Sequence, residues 1–387
     1  MKNFINNALS IATVLTLSLT TSSFAENTSS DTDLKIGMST ALTGKNSFLG
    51  TSFLEGANSY INLVNEQGGI KGKKLKIIAR DDKYEPDTAI INVYNLSKKD
   101  KVFCLLGDVG TPTTMAIKSL LKREKLPLIA PLTGAKRLRN PVHPYIINYR
   151  ASYGQEVETF LKGAVDKLGK KSVSVFYQDD TYGRGVFKAT QEALKKRGLS
   201  VLTSGSYKRN TTDIDEGFKK VFSKNPQVVV MVGTYAPCAA FIQKAKDSNH
   251  NSMFMNVSFV GSDRLNELLG LKGNGVIVTQ VVPNPNSDFP VIKEYNTNLK
   301  KYYAQSKPNF VSLEGYLATK ALIEVMKKMP TLDKEALIPA FENTTSLDLG
   351  DGNELSFSTK NHQGSNKVYP TIIKNGKFES IFDWTKL

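Results

Sequence analysis

Reactive side chains are scarce in this sequence. Two cysteines and three histidines occur among 387 residues. Cys104 lies inside the apolar run KVFCLLG and Cys238 stands far along the chain after Pro237, so the reading is two buried free thiols rather than a disulfide. His143, His250 and His362 are scattered, without metal-ligand spacing and without a neighbouring cysteine, which makes them structural or solvated side chains and not a zinc site. A nucleophile elbow of the form G-x-S-x-G is missing. The nearest approach to a phosphate loop, GAVDKLGKKS at 163–172, is one residue too long and its apolar positions continue a helix. The adjacent carboxylates Asp179 and Asp180 read as turn formers or a helix cap rather than an acid/base pair. No cofactor and no catalytic residue is expected.

Long apolar runs are equally rare. The one near the N-terminus, ALSIATVLTLSL, follows Lys2 and precedes Ser23-Phe24-Ala25, the pattern of a secretory signal over residues 1–25 with cleavage after Ala25. It is short for a membrane span, and no later run approaches the ~20 residues a span requires. No cysteine adjoins the cleavage position, so no lipid anchor is expected there. The expected mature chain is soluble, exported to the periplasm and not inserted in a membrane. The net charge of +15 would suit nucleic acid, but its lysines and arginines are spread over helical segments such as KKDK, LKREK and MKKM, with no basic tail and no aromatic interleaving. A basic solvated surface is the reading, one that favours anionic ligands or an acidic partner.

What the chain does contain is alternation. LKIGMSTAL, KKLKIIARDD, KVFCLLG and LPLIAPL read as strands in the first half, separated by SFLEGANSYINLVNEQ, TAIINVYNLSKK and TTMAIKSLLKRE as helices. The second half repeats the scheme with SVSVFYQ, SVLTSGSY, QVVVMVG and SMFMNVSF. Each half is an open α/β unit with a parallel sheet. No low-complexity linker divides them, and the late helices FPVIKEYNTNLKKYYAQ and EGYLATKALIEVMKKM have no strands of their own, so they return to the first unit.

Ligands of open parallel sheets sit beyond the carboxyl ends of the strands. That rule selects residues 42–50, 107–114, 131–135, 179–183 and 233–237, in two groups that form the jaws of a cleft. In VGTPTTMA, Pro112 suits the first helical position and Thr111 becomes the expected N-cap; with Gly110 allowing close approach, this helix start could receive a carboxylate.

Taken in order, STALTG, LGTSFLEGANSYINLVNEQGGIKGKKLKIIARDDKYEPDTA, VGTPTTMA, LIAPLTGAKRLR, YRASYGQE, FYQDDTYGRG and VGTYAPCAAFI resemble the type I periplasmic binding proteins of the branched-chain amino-acid uptake family. The resemblance spans nearly all of the expected mature chain. It implies two Rossmann-like open parallel-sheet lobes joined by three crossovers: lobe 1 from 34–149 plus 281–345, lobe 2 from 150–280 plus 346–387. It also implies closure around a small solute, delivery to an inner-membrane ABC permease, and a monomer. Carried over by motif, Phe48 and Leu49 are an apolar wall. Gly110 and Thr111 form the helix start for the solute carboxylate, and Leu132, Thr133 and Gly134 complete that pocket. Tyr153, Tyr182 and Tyr235 close over the ligand from the second lobe.

One position departs from the family. Amino-acid binders hold the ammonium with a carboxylate of the second lobe, and Ser258 stands near that place here. Glu156, Asp180 and Asp263 are the acids that could serve instead, while Lys136, Arg137 and Arg139 could add an anion contact. A carboxylate with an aromatic or apolar body is therefore an expected ligand beside leucine-like amino acids. A ligand sensor of the same fold and a periplasmic hydrolase are the rival readings.

Overall fold

The computed structural model describes residues 33–387; the expected signal at 1–25 lies outside them. Apolar β-branched runs make two sheets. The first is all parallel, in the order β2 (Leu75–Asp81), β1 (Leu34–Thr40), β3 (Cys104–Leu106), β4 (Leu128–Ile129) and β5 (Ile146–Ile147). The second runs β14 (Lys377–Ser380), β13 (Tyr369–Lys374), β10 (Ile277–Gln280), β9 (Met253–Asn256), β8 (Val228–Val232), β6 (Val173–Gln178) and β7 (Val201–Tyr207). Its last five strands are parallel, and β13 and β14 add an antiparallel edge that the alternating pattern does not announce. The all-buried run VVVMV of β8 sits between neighbours on both sides, as a central parallel strand should.

Helices cover both faces of the first sheet. Ala89, Val93 and Leu96 of α2 (Pro86–Lys98) and Ile117 and Leu121 of α3 (Thr111–Arg123) bury against Leu105 and Leu128 in a separate small core. On the other face α1 (Ser47–Glu66) packs along α9 (Pro290–Tyr302) and α10 (Phe310–Lys328), so both late helices do return to the first sheet. The crossing of α1 and α10 is close because it is lined by glycines: a Cβ on Gly56 would lie 1.8 Å from the Ser312 carbonyl oxygen, and one on Gly315 would lie 2.2 Å from that of Phe53.

The chain passes between the sheets after β5, after β10, and again before β13. Residues 346–365, expected with the second lobe, instead follow the first sheet. The Asn148 amide donates to the His362 carbonyl (2.7 Å), and the Gly364 and Ser365 amides donate to the carbonyls of Asn148 and Tyr149 (2.9 Å each). This pairing, and the small ribbon of β11 (Leu347–Asp348) with β12 (Glu354–Leu355), places the last crossing after Ser365.

Candidate functional site

The loops at the carboxyl ends of the two sheets face each other, and the first contributes a helix start. Gly110 (φ 98°) is the cap residue of α3, Thr111 its first helical residue and Pro112 its second, so the expected cap at Thr111 is displaced by one position. The reason is steric: a Cβ at position 110 would lie 2.2 Å from the Tyr84 ring, and only glycine adopts that backbone there without strain. No side chain caps α3. The Thr111 hydroxyl lies 2.6 Å from that of Thr133, which stitches the two loops together, while Leu132 bridges to Val109.

The second lobe contributes three tyrosines, each in the first turn of a helix. Tyr153 opens α4 (Tyr153–Leu161), whose start carries a Ser152/Gln155 capping box; its amide donates to the Gly134 carbonyl across the seam (2.8 Å). Tyr182 lies in the first turn of α5 (Thr181–Lys195), capped by Asp180, which answers the role of that carboxylate. Tyr235 opens α7 (Tyr235–Asp247) and meets Phe48 edge to face at 6.0 Å. Tyr153 and Tyr182 pack at 5.3 Å, and Tyr182 continues to Phe259 (4.9 Å) and on to Tyr84 (6.0 Å). The expected residues thus gather at one seam, and Tyr84, Gln178 and Phe259 join them unannounced.

Charge at the seam comes from Glu156, which the sequence offers, and from Arg150 and Glu314, which the motif reading passed over. Arg150, in the first crossing segment, is 2% exposed. Its Nη2 donates to the Ser258 hydroxyl and its Nε lies 3.1 Å from Glu314 Oε1 of α10, but Nη1 has no partner among the described residues. Ser258 donates its amide (2.7 Å) and hydroxyl (3.0 Å) to Glu156, and Thr279 donates a third hydrogen bond (2.6 Å). Burial raises the Glu156 pKa, opposed by Arg150 and these donors. Burial also pushes Glu314 up to about 7 despite the guanidinium beside it. Arg150 goes the other way: burial would lower its pKa, and Glu314 with Glu156 raises it overall.

Of the three remaining basic candidates, Arg139 turns inward and grips the carbonyls of Ala135 (3.0 Å), Thr133 (3.0 Å) and Arg150 (3.1 Å). Burial, then Arg150, holds it down at about 9. Lys136 and Arg137 are exposed on the rim of a groove of about 740 Å³ between the lobes, along which Thr111, Tyr153 and Tyr182 also lie. Leu49, Leu132, Arg150, Ser258 and Glu314 line a second, inner cavity of about 10 Å³. The histidines stand apart: His143 and His362 share one buried corner, and His250 stacks on Phe222 at 3.9 Å. Cys104 and Cys238 are buried free thiols.

A family model described as "Periplasmic binding protein" matches residues 33–377. The chain belongs to that family. Among similar proteins, this periplasmic binding protein is 24% identical to Leu/Ile/Val-binding protein homolog 7 of Brucella melitensis over 370 residues, 90% of this chain and 91% of the relative. A solved structure of a possible leucine/isoleucine/valine-binding protein from Rhodopirellula baltica shares 35% identity with a TM-score of 0.88, covering 92% of this chain and 98% of that one. A substrate-binding periplasmic protein from Ralstonia solanacearum follows at 27% and 0.85, covering 90% and 100%. The type I periplasmic binding protein architecture of two α/β lobes is therefore shared with these proteins, and in this chain the buried charges at the seam are Arg150, Glu156 and Glu314. Arg150 lies inside the quoted motif YRASYGQE, and the signal for Glu314 is an acid set within the mostly apolar start of its helix, FVSLEGYL.

Proposed function

We propose that this protein is the substrate-binding component of an ABC importer. It captures a small carboxylate-bearing solute, an amino acid or related organic acid, in the periplasm and presents the closed complex to an inner-membrane permease. No chemical conversion is expected of it, and it works as a monomer. The observation that carries this reading is the meeting, at one seam, of a helix start without a side-chain cap among the described residues in the first lobe and three first-turn tyrosines in the second. A helix terminus contributes roughly 0.3–2 kcal/mol toward an anion, whereas micromolar capture needs about 8 kcal/mol. The balance comes from enclosure, through apolar burial at about 25 cal/mol per Å² and hydrogen bonds made away from water. A solute that touches both lobes then favours the closed arrangement.

Uptake of labelled amino and organic acids by a strain lacking this protein tests the role. Loss of import for one of them, restored by the intact gene, is the expected result. Undiminished import of every solute that the purified protein binds would point to the sensor reading, and turnover of a bound solute to the hydrolase reading.

A further inference from the structure

The polar groups around the inner cavity are unevenly satisfied. Glu156 accepts three hydrogen bonds, two from Ser258 and one from Thr279. Asp180 caps α5 and also takes Gln178 (2.6 Å) and Arg209 (3.5 Å). Asp263 accepts the Phe310 amide at the start of α10 (3.0 Å). All three acids that the sequence offers as ammonium partners are therefore engaged elsewhere. Glu314 is not: among the described residues its carboxylate accepts no hydrogen bond, it lies 3.1 Å from Arg150 Nε, and it lines the cavity. Arg150, equally buried, leaves Nη1 without a partner among the described residues. A guanidinium offers five donors in a planar fork suited to a carboxylate, and leaving them unmade in a buried place is costly.

We infer that Arg150 and Glu314 form the subsite that reads the charged head of the solute, Arg150 taking a carboxylate and Glu314 an ammonium. The inference rests on the solute-binding reading above and assigns the ammonium to a first-lobe carboxylate that shares the cavity with Ser258, rather than to Ser258 itself. Charge balance supports it. Two arginines (139 and 150) and two glutamates (156 and 314) meet here, so a zwitterion leaves the buried total unchanged, whereas an anion or a cation alone would add to it. The cavity of about 10 Å³ has room for one water, so the head group enters while the lobes are apart and Arg150 stands off Glu314.

Two ligand trios test this on the purified mature chain: L-leucine, 4-methylpentanoate and 3-methylbutylamine, then L-phenylalanine, 3-phenylpropanoate and 2-phenylethylamine. In thermal shift and calorimetry, only the amino acid of at least one trio should bind. Glu314→Gln and Arg150→Gln should each weaken it about tenfold or more, and Arg150→Lys less. Unliganded unfolding midpoints and circular dichroism show that each variant is folded; if Arg150→Gln is not, Arg150→Lys and Glu314→Gln carry the test. Binding of an amine-free acid as tight as its amino acid, or full affinity in Glu314→Gln, overturns the assignment while leaving the importer reading in place. Silence of all six probes overturns it too, and the uptake assay then decides the importer reading separately.

Discussion

Single side chains at the seam are held by steric and electrostatic constraints that can be tested one at a time. Gly110→Ala would combine a positive φ with a methyl group 2.2 Å from the Tyr84 ring, so a loss of roughly 2 kcal/mol or more is expected in chemical denaturation. Tyr182 is 1% exposed and packed on Tyr153 and Phe259; truncating it to alanine would open a cavity costing about 3–5 kcal/mol, which makes Tyr182→Phe the cleaner probe of ligand contact. Glu314 bears on pH. Its ordinary value of 4.5 is pushed up to about 7 by burial, with Arg150 and Arg139 opposing and Glu156 adding to the rise. The folded chain therefore keeps a proton that the unfolded chain releases. The stabilisation is fully present below the ordinary value and is lost as pH rises toward and through 7. Unfolding midpoints of the unliganded protein should fall between pH 5 and pH 8, and Glu314→Gln should flatten that slope whatever it does to the midpoint itself.

At the scale of elements, the strand-and-helix alternation was readable because each strand run is short, apolar and bounded by turn residues. Strand β8 and helices α3 and α5 follow directly from their spacing and first-turn residues. The antiparallel edge of β13 and β14 was not readable, since YPTIIK and KFES carry no signal of which sheet they join. The course of 346–365 escaped for a related reason: its ties to the first sheet are mostly backbone hydrogen bonds, which any sequence can make. Site residues divide in the same way. Those in loops after strands were accessible from topology, while Glu314 is delivered by a helix whose seating depends on glycines in two elements far apart in sequence. Gly315→Ala, which would push a methyl group into the Phe53 carbonyl, should cost about 1–3 kcal/mol by denaturation. It should also weaken solute binding in calorimetry, because it shifts the turn that carries Glu314.

Across the whole molecule the lobes touch through polar contacts outside the aromatic seam. Arg209 Nη2 lies 2.8 Å from Glu85 Oε2, Asn210 donates to the other oxygen of Glu85 (2.6 Å), and Asn46 donates to Asn210 (2.6 Å). Arg209 and Glu85 are partly exposed, so their ion pair contributes only about 0–1 kcal/mol and weakens in salt. That is the right size for a latch that a solute can outweigh. Arg209→Ala should enlarge the radius of gyration of the unliganded protein in small-angle scattering, and saturating solute should bring it back to the wild-type liganded value.

The lacing of the first and last crossing segments, from Asn148 to His362 and from Gly364 and Ser365 back to Asn148 and Tyr149, limits how those lobes can part. Two separate tethers would permit twist and slide as well as bend. Threads sewn side by side behave as a single ribbon, which leaves one easy rotation, so the two lobes would swing along one arc instead of tumbling loosely.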